Sequence, residues 1–137
     1  MTAKEECESL LNLILPAAQA LLQKNKEFYP IGAVMYINGS SSFTAAAAEN
    51  EYPNSQKVID GLISAHRILA ENNEIIVSGI AYNAAVTVDG TKSDAILVSL
   101  EHRDGYSVTA GLPYSFGIFK KIKYGEIFAQ SGNHSVF

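Results

Sequence analysis

Aromatic and lysine side chains interleave in one short stretch toward the C-terminal end of the sequence. The stretch contains Tyr114, Phe116, Phe119, Lys120, Lys121, Lys123, Tyr124 and Phe128. Rings supply contact area and ammonium groups attract anions, so this pattern can bind nucleic acid or an acidic protein. The pattern also arises where rings alternate into a core while lysines protect an edge strand from pairing. If the protein has a surface for a partner or for self-association, we expect it here.

His102 and Arg103 form a second candidate binding group, within the segment EHRDGY at residues 101–106. A solvated hairpin turn accounts for this mixture of charges, so we expect His102 at the tip of a turn. His66 falls on the apolar face of a predicted helix, where we expect a histidine hydrogen-bonded to the sheet. None of the 3 histidines has the spacing of a metal-ligand pair, so we predict no metal site and no cofactor.

Cys7 is the only cysteine, which excludes an intramolecular disulfide. It lies on the apolar stripe of the first predicted helix, where a cysteine usually acts as a small buried hydrophobe. The sequence has no Gly-x-Ser-x-Gly elbow and no glycine-rich phosphate loop. We therefore predict no catalytic residues, and the sequence favours a role other than that of an enzyme.

Two amphipathic helices are predicted. In the first, Thr2 and Glu5 have the spacing of a capping box, and apolar residues then recur with helical period. Pro16 interrupts this stripe without changing its phase, which predicts a kink near Leu15. The second helix begins after Asn54 or Ser55 and ends before residues 72–73.

Strands are predicted from apolar runs that turn residues separate. An early hairpin joins residues 31–37 to residues 42–47 through Asn38-Gly39. A later meander contains strands at residues 75–82, 95–100 and 106–112, broken by Asp89-Gly90 and by Asp104-Gly105. Residues 116–124 are expected to add a strand or an ordered extension, and the terminal segment is expected to pack through Ile127, Phe128 and Phe137.

This order of elements predicts one α+β domain over residues 1–137, with a five- to six-stranded antiparallel sheet and two helices. The helices are expected on one face of the sheet or one on each. A strand order of 2-1-5-4-3, as in profilin-like and roadblock-like folds, fits the hairpin, the crossover helix and the meander. A cystatin-like sheet wrapped around the first helix is the alternative.

The composition narrows the class of protein. Net charge is −4, the apolar fraction is 47% and the charged fraction is 18%, all typical of a globular chain. The negative balance argues against nucleic acid as a partner. No apolar run has the length of a membrane span, and the N-terminal residues do not resemble a signal peptide. We therefore expect a cytoplasmic protein with no membrane partner.

Several segments together resemble a family of small bacterial proteins that have no assigned activity. They include FYPIGAVM at residues 28–35, EHRDGY at residues 101–106 and GEIFAQ at residues 125–130. The resemblance spans most of the chain and implies a bacterial, single-domain protein. It implies no catalytic residues.

Three hypotheses for the function follow from the sequence. The first is a protein-binding or regulatory module, of the kind found among small immunity or adaptor proteins. The second is a small-ligand-binding protein or an enzyme with a pocket between the first helix and the sheet, opened by Pro16, Ala17 and Ala18. The third is a structural homodimer that pairs through the second strand or the C-terminal extension.

Overall fold

The computed structural model describes residues 1–45 and 54–137 and confirms the α+β class. Two helices and an antiparallel sheet account for the regular structure of these residues. The elements are α1 (Ala3–Asn25), β1 (Ile31–Tyr36), β2 (Ser41–Thr44), α2 (Ser55–Glu71), β3 (Ile75–Val88), β4 (Thr91–His102), β5 (Ser107–Phe116), a 3-10 turn (Ile118–Lys120), β6 (Ile122–Tyr124) and β7 (Phe128–Ser131). The second predicted strand ends earlier than expected, and residues 46–47 of that prediction lie outside the described residues.

The strands lie in the order β2-β1-β3-β4-β5-β6, and β7 pairs with β5 beside β6. The predicted order 2-1-5-4-3 is therefore wrong, because β1 pairs with β3, as at Val34 and Ser78. The reason lies in the turn after α2, where the Glu74 amide donates to the Leu69 carbonyl. The Glu74 carbonyl then accepts from the Ile37 amide, so the chain enters β3 directly beside the end of β1.

The two helices pack on opposite faces of the sheet. Neighbouring residues of β3 show this, because successive side chains of a strand point to opposite faces. Gly79 faces α1, where an added Cβ would lie 3.0 Å from Leu10 Cδ2. The preceding residue, Ser78, is hydrogen-bonded to His66 of α2. Because α2 connects β2 to β3 and both strands flank β1, α2 crosses over β1.

The core under α1 follows the predicted stripe. Cys7, Leu10, Ile14, Ala18 and Leu22 are buried at intervals of three or four residues. They pack against buried apolar side chains of β1, β3, β4 and β5. The helix runs through Pro16 as one element and does not divide into two helices. The capping box is also confirmed, since the Thr2 hydroxyl accepts from the Glu5 amide at 3.1 Å.

Two turns fix the long meander. Asp89 and Gly90 form a two-residue turn with φ of 49° and 78°, and Val88 pairs with Thr91 across it. These left-handed values match the twist of the flanking strands. The second turn holds Gly105 at φ 103°. Both predicted turns are confirmed, and the strands around the first extend further than predicted.

The C-terminal segment packs differently from the prediction. Phe128 is half-buried, as expected, but Ile127 and Phe137 are 54% and 40% exposed. Val136 is the buried residue of this segment, and its amide donates to Glu101 Oε1 at 3.0 Å. The prediction that Ile127 and Phe137 pack the segment is wrong, because Phe128 lies against Gly111 of β5 and Val136 takes the buried position near the end.

The Asp89-Gly90 turn yields a test of the fold. We expect Gly90→Ala to lower the free energy of unfolding by about 1–2 kcal/mol, because an L side chain is strained in the left-handed region. Gly90→Asn is the matched control and should cost less, since asparagine visits this region more readily. Urea melts of the three proteins measure the difference. Equal losses for the two variants would contradict the turn geometry.

Candidate functional site

The predicted binding residues fall into two groups at opposite ends of β5. His102 and Arg103 lie at the turn between β4 and β5. The remaining candidates lie at the other end, where β5 passes through the 3-10 turn into β6. A strand of ten residues separates the two groups by roughly 30 Å. They therefore do not form one site.

We call residues 116–123 the β5–β6 tip. Its strands are held in register by the pairs Ser115–Lys123 and Phe116–Ile122, and the Gly117 amide donates to the Lys121 carbonyl at 2.6 Å. Phe119 and Lys120 have φ of 61° and 58°. Consecutive left-handed residues that are not glycine are unfavourable, by roughly 1–2 kcal/mol each. Such strain is found most often at functional sites.

The apolar residues of the β5–β6 tip point into solvent. Phe119 is 97% exposed, Ile118 is 80% exposed and Phe116 is 42% exposed. The expectation that the rings alternate inward therefore fails for Phe116 and Phe119. It fails because β5 ends at Phe116 and the chain continues into the 3-10 turn, whose residues Ile118, Phe119 and Lys120 are all exposed.

Two tyrosines anchor the base of the tip. Tyr114 is buried, its hydroxyl donates to Asn83 Oδ1 at 2.6 Å, and its ring meets the Phe116 ring edge to face at 5.8 Å. Burial raises the pKa of Tyr114, and the nearby Asp94 charge adds to the rise. Burial raises the pKa of Tyr124, and the nearby Gln19 side chain of α1 partly offsets the rise. Tyr114 thus supports the surface from beneath.

Lysines surround the exposed rings of the tip. Lys120, Lys121 and Lys123 are all exposed, and Lys26 at the end of α1 joins them. A surface cleft of about 240 Å³ lies between Lys26, Phe116 and Lys120. Within residues 1–45 and 54–137, none of these lysines forms an ion pair. Lys26 is absent from the predicted group, since no local pattern links it to a tip so distant along the chain.

His102 is not at the tip of its turn. It is the last residue of β4 and is 7% exposed, with Nε2 3.3 Å from Glu6 Oε1 of α1. The Asp104 amide donates to Nδ1 at 3.1 Å, and Asp104 Oδ1 lies 3.2 Å from the same nitrogen. The expectation of a solvated His102 is wrong because the first turn of α1 covers the end of β4. Arg103 is exposed, as a turn residue should be.

His66 is a buried hydrogen-bonded residue, as predicted. It is completely buried, with Nδ1 2.6 Å from Ser78 Oγ and Nε2 2.7 Å from Thr44 Oγ1. Gly32 makes room for the second contact, since a Cβ there would collide with Thr44 Oγ1. Burial lowers the pKa of His66 to about 4, so the ring is neutral at pH 7. No solvent reaches this nitrogen pair, which therefore connects elements and does not meet a substrate.

Cys7 is buried, which confirms the predicted packing role. Burial raises the pKa of its thiol to about 12, and the charges of Asp104, Glu6 and Glu8 add to the rise. A thiol with this pKa carries almost no thiolate at pH 7 and is a poor nucleophile. A cleft between α1 and the sheet does exist beside Cys7 and Leu11. It lies closer to the N-terminal end of α1 than the predicted opening at residues 16–18.

Glu101 is a buried polar residue that the sequence did not single out. Its carboxylate accepts from the Val136 amide and joins the C-terminal segment to β4. Its burial depends on that distant segment, so no local signal could have revealed it.

Among residues 1–45 and 54–137, no His, Cys, Asp and Glu side chains cluster in a way that could hold a metal ion. Neither described helix has the length and apolar character needed to cross a membrane. Comparison with known proteins is equally negative, since no family model, no curated protein and no solved structure matches the chain.

The histidine bridge yields a pH-dependent prediction. The pKa of His66 is ordinarily 6.5 and is about 4 in the folded protein. Between pH 4 and pH 6.5 the unfolded chain therefore binds a proton at His66 that the folded protein does not bind. The contribution of His66 to the free energy of unfolding should therefore fall as the pH drops from 6.5 toward 4 and level off below that. The contribution of this one group is about 3 kcal/mol.

The matched variant is His66→Gln, which keeps a hydrogen-bonding side chain and removes the titrating ring. Urea melts at several pH values measure both proteins. The variant should lose less stability than the wild type between pH 6.5 and 4, because other groups titrate equally in both. Identical pH dependence of the two proteins would contradict a neutral, buried His66.

Proposed function

We propose that the protein is a non-enzymatic binding module that docks on an acidic protein surface through the β5–β6 tip. The observation that carries the proposal is the side chain of Phe119, which is 97% exposed on a left-handed backbone and followed by Lys120 and Lys121. A bulky ring held in solvent at a conformational cost is a ready anchor for a partner. Burying it would contribute about 1.5–3 kcal/mol.

Protection of a sheet edge explains the lysines less well than binding does. Only Lys123 lies in the last strand of the sheet, and that strand has three residues. Lys120 belongs to the 3-10 turn and Lys121 follows it. A short edge needs little protection, whereas a positive rim around apolar residues is complementary to an acidic partner. Because the whole chain has a net charge of −4, this positive rim is opposite in sign to the protein as a whole.

The positions of most histidines and of the cysteine support a non-enzymatic role. His66, His102 and Cys7 are each buried at 7% exposure or less, whereas His134 is exposed and lies 3.3 Å from the Ser107 hydroxyl. His66 and His102 are engaged by protein partners on both ring nitrogens. The resemblance to small bacterial proteins and a cytoplasmic location belong to the same proposal. A single cysteine, which cannot form an intramolecular disulfide, agrees with a reducing compartment.

A second candidate is a homodimer that pairs through β2. This strand ends the sheet order, and its Phe43 is 50% exposed. Edge strands are templates for pairing with a second chain. Light scattering at high protein concentration distinguishes the candidates, since a monomer removes the homodimer and leaves docking through the tip unaffected.

The docking proposal is tested with two tip variants. Proteins captured by the wild-type chain are identified by mass spectrometry and purified, and calorimetry measures each Kd. Phe119→Ala should weaken binding at least tenfold, because aromatic anchors dominate interface energies. Lys120→Glu with Lys121→Glu should abolish binding at low salt, and wild-type affinity should fall as salt increases.

Lys57→Glu is the matched control, a charge reversal in the exposed first turn of α2, which packs on β1 and β3. It should leave the affinity unchanged. A partner that binds both tip variants as tightly as the wild type would show that docking occurs elsewhere. If no purified protein binds the wild-type chain, the proposed class is wrong.

A further inference from the structure

The edge of the sheet beyond β5 is built from two short strands. β6 pairs with β5 at Tyr114–Phe116, and β7 pairs with β5 at Val108–Gly111. Neither strand pairs with a further strand among the residues that the structure describes, so their far side is the end of the sheet. We call residues 122–131 the outer edge. It begins within the β5–β6 tip and continues beyond it along β5.

β7 is fixed on β5, and the segment that follows it leaves the outer edge uncovered. Phe128 pairs with Gly111, and a Cβ at Gly111 would overlap the Phe128 ring, so the ring rests directly on the β5 backbone. After β7 the chain crosses to the α2 face of the sheet, where the Ser135 carbonyl accepts from Arg67 of α2. β7 is therefore an ordered strand with an open side.

The backbone groups of successive residues in a strand point alternately to its two sides. The Gly125 amide donates to the Pro113 carbonyl, so the odd-numbered residues of β5 direct their backbone groups toward the outer edge. Gly111 is one of these residues, and it faces Phe128. The next residue of β7, Ala129, therefore directs its amide and carbonyl away from β5. The same holds two positions further on, at residue 131.

β7 lacks the residues that usually protect an edge strand. Its sequence, Phe128–Ser131, contains no lysine and no proline, and its last three residues are exposed. Natural edges are protected by charges, proline or bulges, because a free row of amides and carbonyls pairs with other chains. One extra residue does separate β6 from β7, since residues 125–127 lie opposite residues 112–113 of β5. It leaves β7 itself in regular register, available as a template.

We propose that the acidic partner adds an extended strand to β7 and carries its acidic residues past the lysines of the β5–β6 tip. The inference rests on the proposed function, because it gives the same partner a second contact. Every strand pair of the sheet is antiparallel, and antiparallel pairing is the more stable kind. The added strand is therefore antiparallel to β7.

The positions of the lysines define the sequence of the partner segment. Lys123 and Lys121 precede Phe128 by five and seven residues. An antiparallel partner meets them with residues C-terminal to those that pair with β7, after about 17 Å of extended chain. The segment thus has a short β-prone stretch followed, about five to seven positions later, by acidic residues. Backbone pairing supplies contact that tolerates many sequences, and the charges select the partner.

The probe is a synthetic peptide titrated into ¹⁵N-labelled protein and followed by NMR. It has alternating threonine and valine at its first four positions, a glycine-serine spacer of equal length and a pair of glutamates at its end. We expect saturable shifts at the amides of Ala129 and Ser131, with a Kd of about 1 mM or below. Hydrogen exchange at these two amides should slow at least tenfold on saturation, whereas the Gln130 amide, which faces β5, is protected with or without peptide.

A peptide with lysines in place of the glutamates tests the charge selection and should bind at least fivefold more weakly. Shifts that do not saturate, that map to other strands, or that are equal for the two peptides overturn the proposal. So does an unchanged rate of hydrogen exchange at Ala129 and Ser131.

Two variants at one exposed position locate the pairing. Ala129→Pro removes the outward amide and should weaken the glutamate peptide at least tenfold, and proline is tolerated at an edge where the amide faces solvent. Ala129→Thr keeps the amide and is the matched control, with a Kd within about twofold of the wild type. If Ala129→Pro does not fold, the hydrogen exchange of the wild-type amides decides the question.

The protein partner captured by the chain separates this inference from the proposed function. Phe119→Ala and Ala129→Pro should both weaken its binding. Loss of binding in Phe119→Ala alone overturns the added strand and leaves docking through the tip intact. Loss in Ala129→Pro alone contradicts the tip and leaves the added strand intact. A wild-type mass that doubles with concentration in light scattering, but not in Ala129→Pro, would assign β7 to a second copy of the chain and overturn the acidic partner.

Discussion

The imidazole of His66 is the contact on which the α2 face of the structure depends. A buried ring with two polar nitrogens must find two partners, since each unsatisfied group costs about 1–3 kcal/mol. Those partners lie on different strands, Thr44 on β2 and Ser78 on β3, which flank β1 on its two sides. Gly32 of β1, directly opposite Thr44, provides the space. One side chain therefore fixes where the crossover helix sits over three strands.

Covering both faces of the sheet restricts where function can reside. α1 and α2 bury the central strands on opposite sides, so solvent reaches mainly the ends and edges of the sheet. One such end is the β5–β6 tip, which exposes Phe119. The other opening is the cleft where the sheet continues beyond α1 to β5 and β7.

Local patterns predicted the parts of the fold that depend on neighbouring residues. The Asp89-Gly90 turn, the Thr2 cap and the buried stripe of α1 each require only residues a few positions apart. The sequence-based strand order failed, because either edge of the meander could pair with β1 and the hydrophobic pattern fits both. The choice was made by the backbone hydrogen bonds around Glu74.

The sequence by itself determined which segments are helices and turns and that lysines and aromatic rings meet near residues 114–124. Propensity, period and turn chemistry are local, so they survive without knowledge of the fold. Only the tertiary structure decided which rings are anchors and which are core, separating exposed Phe119 from buried Tyr114. It also buried His102 beneath α1 and brought Lys26 to the tip. These outcomes depend on contacts between distant segments, for which a single sequence carries no local signal.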